Sequence, residues 1–248
     1  MASSEIKQLC TSIDLLVNNA GVMCFPRHCL TEDDVEIHLA VNYIGHFLLT
    51  KLLAEQLVGP ASSPGKGRIV NVSSSAHTVS PFRFSDPNFI QPTTLSQDEQ
   101  PSHSACKAFG ISWVTDYAPL VAYAQSKTAV ILHAKAVVAG ALGDRIAAHS
   151  ANPGVIDTDL WRHMPSDEVR EILESIPTKS PEQGEATILV AALDPALNSR
   201  QSEYLGDCSV FSPAPHAIGQ ERALRLWEWT ELFLSHNIHG ELADSVSK

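Results

Sequence analysis

The clearest indication of the fold is the segment Gly67-Arg68-Ile69-Val70-Asn71-Val72-Ser73-Ser74-Ser75. Its short apolar run predicts a buried strand that leads into a serine turn. A similar run at residues 14–21 precedes it, a weaker one at 145–151 follows it, and a fourth strand is predicted at 201–210.

Helical patterns separate these strands. One runs from about Thr31, a candidate N-cap, to Val58, and Asn42 and Gly45 near its middle predict a kink. The remaining helices are expected at 122–138, 166–176, 181–193 and 221–235. Alternating strands and helices predict an α/β fold with a Rossmann-like parallel sheet of about four strands and helices on both faces.

Composition narrows the class of protein. The 248 residues carry a net charge of −11, and 44% of them are hydrophobic, which is typical of a single globular domain. The acidic balance without a basic cluster argues against a nucleic-acid surface. The five cysteines have no spacing typical of disulfide frameworks or zinc sites. The N-terminus does not resemble a signal peptide, and no apolar run is long enough to cross a membrane. We therefore expect a cytoplasmic protein with no membrane span.

Residues 81–119 differ in composition from the rest, being rich in Ser, Pro, Asp and Gln. They read as a long irregular insertion, which in a compact domain is usually a functional lid or partly disordered. A helical C-terminal segment is expected from about residue 215. The domain prediction is therefore one domain over 1–248, with this insertion and this segment.

Tyr123 and Lys127 are four residues apart, which places a phenol and an ammonium on one helix face. A phenol titrates near pH 10, and a neighbouring cation is expected to lower that pKa, so the pair can exchange a proton with a substrate hydroxyl or carbonyl. The alternative is an ordinary exposed helix pair.

Other candidates carry similar alternatives. Ser74 follows a strand, where α/β active sites lie, but a turn serine often only satisfies local backbone. Asn42 inside a helix indicates a specific partner, or a satisfied core amide. In Pro153-Gly154-Val155-Ile156-Asp157-Thr158, Gly154 allows close backbone approach, and Thr158 can bind a ligand or cap the next helix. The histidines show no HExxH pattern, so no metal site is expected.

In this order the motifs resemble those of the short-chain dehydrogenase/reductase family, over roughly residues 10–210. The matching pieces are Asn18-Asn19-Ala20-Gly21, Asn42 in Val41-Asn42-Tyr43-Ile44-Gly45, Ser74 in Val72-Ser73-Ser74, Tyr123-Ala124-Gln125-Ser126-Lys127, and the Pro153–Thr158 run. The stretch from Asn42 to Leu49 resembles the retinol-dehydrogenase-like branch, and the insertion resembles its fungal members.

The resemblance implies a role for each matching residue. Tyr123 is the expected acid/base, Lys127 its pKa-lowering partner and a ligand of the nicotinamide ribose, Ser74 the residue that orients the substrate carbonyl, and Asn42 the holder of a relay water. The cofactor-binding residues implied are Asn18, Ala20 and Gly21 on the adenosine side, and Val155 and Thr158 at the carboxamide. The implied reaction is hydride transfer between NADP (or NAD) and an alcohol or carbonyl substrate.

The sequence also departs from the family pattern. It contains no TGxxxGxG-type glycine-rich turn, and Asn18 starts a motif that the family usually carries some ninety residues further on. We therefore expect an N-terminally truncated fold, weakened cofactor binding, and an uncovered strand edge at Leu15–Asn18. The alternative function is a non-catalytic remnant that acts as a binding or dimerisation partner through its helix pair, with a homodimer as the expected assembly.

Overall fold

The structure is a computed structural model that describes residues 2–59, 67–90, 95–111, 117–140, 143, 145–200 and 202–237. Its helices are α1 (Ala2–Leu9), α2 (Ile37–Leu39), α3 (Gly45–Leu52), α4 (Ala54–Val58), α5 (His103–Ala108), α6 (Pro119–Ala139), α7 (Ser166–Ser175), α8 (Pro181–Leu193) and α9 (Gln220–Asn237). Its strands are β1 (Leu15–Asn18), β2 (Gly67–Val72), β3 (Ile146–Asn152), β4 (Tyr204–Gly206) and β5 (Ser209–Phe211).

The five strands form one sheet in the order β1-β2-β3-β4-β5. The first four are parallel, with Val17 opposite Val70 and Val70 opposite His149. The α/β class is thus confirmed, but the predicted fourth strand is a hairpin of two strands, because β5 returns antiparallel to β4. Asp207 and Cys208 between them both have positive φ, as in the tight turns that reverse a chain.

Helices cover both faces of the sheet, as predicted. Neighbouring residues of a strand point to opposite faces, and β2 shows this directly. Ile69 packs in a cluster with Ala134 and Val137 of α6, whereas Val70 packs in another with Ala191 and Ala192 of α8. A strand buried on both sides reads as a continuous apolar run, which is why residues 67–72 could be recognised.

The helix predicted from Thr31 begins six residues later, at Ile37. The Thr31 hydroxyl accepts a hydrogen bond of 3.3 Å from the Val35 amide in a separate turn. The helix cap is Glu36 instead, whose side chain accepts from the Leu39 amide. Between α2 and α3 the chain forms a π-helical segment, Ala40–Ile44. This wide turn lies where Asn42 and Gly45 predicted a kink, and such turns are frequent at functional sites.

The described part of the expected insertion packs against the rest of the protein. Phe82 is fully buried in the core, and its ring centroid lies 5.1 Å from that of Trp229 on α9. Arg83 and Asp86 form a buried ion pair of 2.8 Å. Residues 91–94 and 112–116 of the same stretch lie outside the described residues.

The C-terminal helix α9 covers α6 and the helical region 37–52. Ala223, Leu226 and Leu234 are buried in the core cluster that these elements share. The Thr230 hydroxyl and the Tyr43 hydroxyl lie 2.6 Å apart, and Lys51 forms an ion pair of 2.6 Å with Glu231. Helix α9 is therefore part of the core that these elements share.

Strand β1 forms one edge of the sheet, as predicted. The only strand that pairs with it among the described residues is β2. The Val17 side chain on it is 38% exposed, which is unusual for an apolar residue of a sheet's core. An unpaired apolar edge is a surface on which further strands can add.

Candidate active site

Tyr123 and Lys127 lie on one face of α6, near the end of β2. Both are buried, with 3% and 4% of their surface exposed, so they do not form the ordinary exposed pair. Lys127 Nζ lies 5.6 Å from the centroid of the Tyr123 ring and donates a hydrogen bond of 2.8 Å to the Val72 carbonyl. The phenol and the ammonium thus meet at the carboxyl edge of the sheet, where open parallel sheets bind ligands.

Burial governs the protonation of this pair. Desolvation raises the pKa of Tyr123, and a hydrogen bond with Ser74 opposes that rise. Desolvation also lowers the pKa of Lys127 to about 8. That the ammonium lowers the pKa of the phenol stays a prediction; in the ligand-free chain burial leaves the pKa of Tyr123 above its ordinary value. At neutral pH Tyr123 is therefore a neutral phenol that can donate a proton.

Of the three consecutive serines after β2, Ser74 is the one next to Tyr123. Ser73 is buried and donates to the Lys127 carbonyl at 3.1 Å, while Ser75 is exposed. Ser74 is half-buried; its hydroxyl accepts from the Ala76 amide at 3.2 Å and hydrogen-bonds Tyr123. The structure thus gives Ser74 the local turn role of the alternative, and also places it beside the phenol.

Asn42 sits in the π-helical segment and is buried. Its Nδ2 donates to the Val22 carbonyl at 3.0 Å and to Ser126 Oγ at 2.9 Å, and its Oδ1 accepts from the Val22 amide at 2.8 Å. Its main-chain carbonyl accepts from His46 Nδ1 at 2.9 Å. The amide is satisfied by the protein, as the core-amide alternative expects, and its position next to α6 ties the loop after β1 to the site.

Gly21 lies between the expected catalytic and cofactor-binding residues. A β-carbon built on it would stand 3.2 Å from Asn42 Oδ1 and 3.7 Å from Lys127 Nζ. Any larger side chain would therefore crowd the site, so glycine here keeps the carboxyl edge of β1 open. Ala20 beside it is exposed.

Asn18 is placed differently from the other cofactor candidates. It is 2% exposed, and its Nδ2 donates to Asn71 Oδ1 at 2.8 Å and to Thr50 Oγ1 at 3.3 Å. These contacts tie β1 to β2 and α3. Asn18 Oδ1 has no hydrogen-bond partner among the described residues. The contacts seen are structural ones, and none reaches Gly21 or Lys127.

The loop after β3 carries the last two candidates. Gly154 has a φ of 86°, a conformation that favours glycine. The Val155 carbonyl accepts from the Lys179 amide at 2.8 Å, which closes the loop onto the segment before α8. Thr158 is exposed, and its hydroxyl caps the short turn Asp159–Trp161. Its side chain thus has the capping role that was one of its two expected uses.

An apolar cluster surrounds the phenol. Met23, Cys24 and Ala76 are buried with Tyr123, and Leu120, Leu160, Trp161 and Met164 pack against them. We call these eight residues the Tyr123 cluster. Apolar surroundings strengthen hydrogen bonds made inside them and favour apolar ligands.

The chain is similar to known proteins in both sequence and fold. The sequence model of the family described as short chain dehydrogenase matches residues 1–85. The chain is 65% identical to oxidoreductase fscI of Fusarium equiseti over 153 residues, 62% of this chain and 59% of that protein. It is 35% identical over 237 residues to a probable oxidoreductase of Streptomyces lividans, covering 88% of this chain and 70% of the relative.

The chain belongs to the short-chain dehydrogenase/reductase family. Within it the retinol-dehydrogenase-like branch is supported by human retinol dehydrogenase 13, 33% identical over 223 residues, 87% of this chain and 58% of that protein. The chain thus spans about 60% of the length of several of these relatives. The fold matches 3-alpha-hydroxysteroid dehydrogenase from Pseudomonas sp. B-0831, with a TM-score of 0.54 at 20% identity, over 82% of this chain and 76% of that one.

Two buried residues of this family member were missed by sequence reasoning. Glu36 and His38 are both fully buried, and the His38 ring centroid lies 6.2 Å from that of Tyr123. Glu36 stands in an acidic run that resembles an ordinary first helical turn, so no spacing or residue type marked it.

None of the described helices is long and apolar enough to cross a membrane.

Proposed function

We propose that this chain transfers a hydride between NADP (or NAD) and an alcohol or carbonyl, with Tyr123 as the general acid/base. The observation that carries the proposal is the buried, neutral phenol of Tyr123, with Ser74 and Lys127 beside it at the carboxyl edge of the sheet. A neutral phenol in an apolar cluster can give its proton to a carbonyl oxygen that Ser74 orients.

The chain's own residues supply the proton and the positioning. In the reductive direction the proton leaves the Tyr123 hydroxyl for the substrate oxygen, and the resulting phenolate is stabilised by the Lys127 ammonium and the Ser74 hydroxyl. In the oxidative direction the same groups take the proton back. Because the Tyr123 cluster is apolar, we propose a substrate whose carbonyl or alcohol is attached to an apolar body.

The residues fit the nicotinamide end of the cofactor. Gly21 leaves space beside Lys127, Gly154 bends the loop after β3 with a positive φ, and Val155 and Thr158 lie on that loop. When bound, the nicotinamide supplies or accepts the hydride. Ala20 and Asn18 are proposed on the adenosine side. Because this sequence contains no glycine-rich turn for the phosphates, we propose that the chain binds the cofactor weakly.

The alternative, a non-catalytic binding or dimerisation partner, has less support. It was expected to act through a helix pair, a role that does not require Tyr123, Ser74 and Lys127 to lie side by side. A homodimer that leaves α9 in place cannot use the face of α6 and of residues 37–52 that α9 covers. A cytoplasmic location remains a proposal, in keeping with five cysteines that are all free. That residues 1–248 form one domain is likewise proposed.

The test compares wild type with Tyr123→Phe, following oxidation of excess NADPH against a panel of apolar ketones and aldehydes. We expect kcat to fall at least about 100-fold, because the general acid is lost. Tyr43→Phe is the matched control, since it removes a buried hydroxyl that contacts Thr230 and not the site. If Tyr123→Phe is as active as wild type, Tyr123 does not have this role.

A further inference from the structure

The loop of residues 22–25 forms one side of the Tyr123 cluster. Met23 and Cys24 are both buried there against Tyr123 and Ala76. Cys24 has a φ of 50°, a left-handed conformation that is uncommon for a residue other than glycine. Such a conformation persists only where neighbouring contacts impose it.

Two residues of the helical region hold this loop at its ends. The Asn42 amide pairs with both main-chain groups of Val22, and His38 Nε2 accepts a hydrogen bond of 3.0 Å from the Phe25 amide. Residues 38 and 42 are four apart, so they lie on one face of the helical region. The loop is therefore attached on either side of Met23 and Cys24.

Glu36 fixes the orientation of the His38 ring. Because Nε2 accepts from Phe25, the proton of the neutral ring resides on Nδ1, which donates to Glu36 Oε1 at 2.7 Å. The Glu36 carboxyl group also accepts from the Leu39 amide at 3.0 Å and from the Tyr117 hydroxyl at 3.1 Å. Both partners of the 2.7 Å contact are completely buried, so the ring has no solvent to compete for its hydrogen bonds.

The expected insertion also reaches this pair. Besides Tyr117, Asn88 contacts Glu36: its Oδ1 accepts from the Glu36 amide at 2.9 Å, and its Nδ2 donates to the Asp34 carbonyl at 2.7 Å. Tyr117 and Asn88 both lie within residues 81–119. The position of the 22–25 loop thus depends on a hydrogen-bonded chain from the insertion through Glu36 and His38.

We propose that Glu36 and His38 are positioning residues that hold the 22–25 loop against Tyr123 and so set the shape of the substrate pocket. No hydrogen bond joins either residue to Tyr123 among the described contacts, so they act through the loop. The pocket-shaping part rests on the proposed function. The loop-holding part is a statement about the ligand-free chain and can be tested without cofactor or substrate.

The first test measures how fast Cys24 reacts with iodoacetamide in the ligand-free protein, mapped by mass spectrometry. In wild type Cys24 is buried, and burial raises its pKa to about 12, so we expect it to react slowly. In His38→Phe, which keeps a ring but loses the hydrogen bonds of the imidazole nitrogens, we expect Cys24 to react at least 10-fold faster. Cys106, buried in a separate cluster, is the internal standard and should keep its wild-type rate.

His149→Phe is the matched control variant. His149 is also fully buried and accepts from a main-chain amide, that of Glu203, at 3.2 Å, but it lies on β3. It should leave the Cys24 rate unchanged. Three results would each overturn the proposal. They are faster reaction of Cys24 and Cys106 together, an equally large acceleration of Cys24 in His149→Phe, and an unchanged Cys24 rate in His38→Phe. Glu36→Gln is the milder variant should His38→Phe fail to fold, with an intermediate rate expected for Cys24.

The second test separates pocket shape from chemistry. With an apolar ketone that wild type reduces, His38→Phe should raise KM about 10-fold while kcat changes less than about 3-fold. A fall in kcat with unchanged KM would overturn the pocket-shaping role. If wild type reduces no carbonyl, the proposed function fails, and the Cys24 rates still decide whether Glu36 and His38 hold the loop.

Discussion

At the scale of single residues, Lys127 shows how a residue of the candidate site lowers the stability of the folded state. Its ammonium is buried and has one hydrogen bond among the described contacts, to the Val72 carbonyl. Burial of a charge with so little compensation destabilises the folded state, which is why desolvation lowers its pKa to about 8. Residues retained against such a cost usually serve a site rather than the core.

Lys127→Met should therefore stabilise the ligand-free protein at pH 7. The pKa of Lys127 lies below its unfolded value of about 10.4, so between about pH 8 and 10.4 the unfolded chain binds more protons and wild-type stability rises with pH. The free energy of unfolding of the variant should exceed that of wild type by about 1–3 kcal/mol at pH 7, and the gap should close by about pH 10.

Urea unfolding at both pH values measures this effect. Lys107→Met, at an exposed position on α5, is the control and should change stability by less than about 0.5 kcal/mol. A variant no more stable than wild type at pH 7 would contradict the cost assigned to the buried ammonium.

At the scale of elements, local signals predicted most of the helices and strands, but not where the helix over residues 31–58 begins. Threonine is a preferred cap, so Thr31 was expected to start the helix. Glu36 caps it instead, because its side chain is held by Tyr117 and its amide by Asn88. Those partners lie 52 or more residues away, and no local propensity reports on them. The π-helical segment, in contrast, had a local signal in Asn42 and Gly45.

The packing of α9 can be tested by truncating one core side chain. Leu226 is fully buried against the helical region 37–52 and α6, so Leu226→Ala should lower the free energy of unfolding by about 2–5 kcal/mol. Leu232→Ala on the same helix is the control, since that side chain is 60% exposed and should cost less than about 0.5 kcal/mol. Chemical denaturation followed by Trp fluorescence reports both. Equal effects of the two variants would mean that α9 does not pack as described.

At the scale of the whole molecule, the sequence predicted which residues carry the proposed chemistry but not how they are supported. Asn42, Ser74, Tyr123 and Lys127 stand in short motifs, so their types and spacing were readable. Glu36 and His38 act through contacts with distant segments. The role of Phe82 was likewise hidden, because its partner Trp229 is more than 140 residues further along the chain. What depends on tertiary contacts could not be predicted from local pattern.

Cofactor affinity depends on the whole molecule, because phosphate contacts and nicotinamide contacts come from different parts of a dinucleotide-binding fold. Titration of the chain with NADPH, followed by cofactor fluorescence, should give a Kd above about 100 μM, since the glycine-rich phosphate turn is not among its residues. Displacement by excess NADP⁺ controls for non-specific signal. Saturable, displaceable binding at micromolar NADPH would contradict weak binding.

The contact between Tyr43 and Thr230 sets an order of events during synthesis. The two hydroxyls, 187 residues apart in sequence, close the core beside Asn42. A ribosome completes the helical region 37–52 and α6 well before α9 emerges, so the apolar surface that α9 covers stays open until then. Contacts between residues so far apart in sequence form slowly. During synthesis the apolar surface that α9 later covers therefore has to be shielded from other chains until α9 has packed on it.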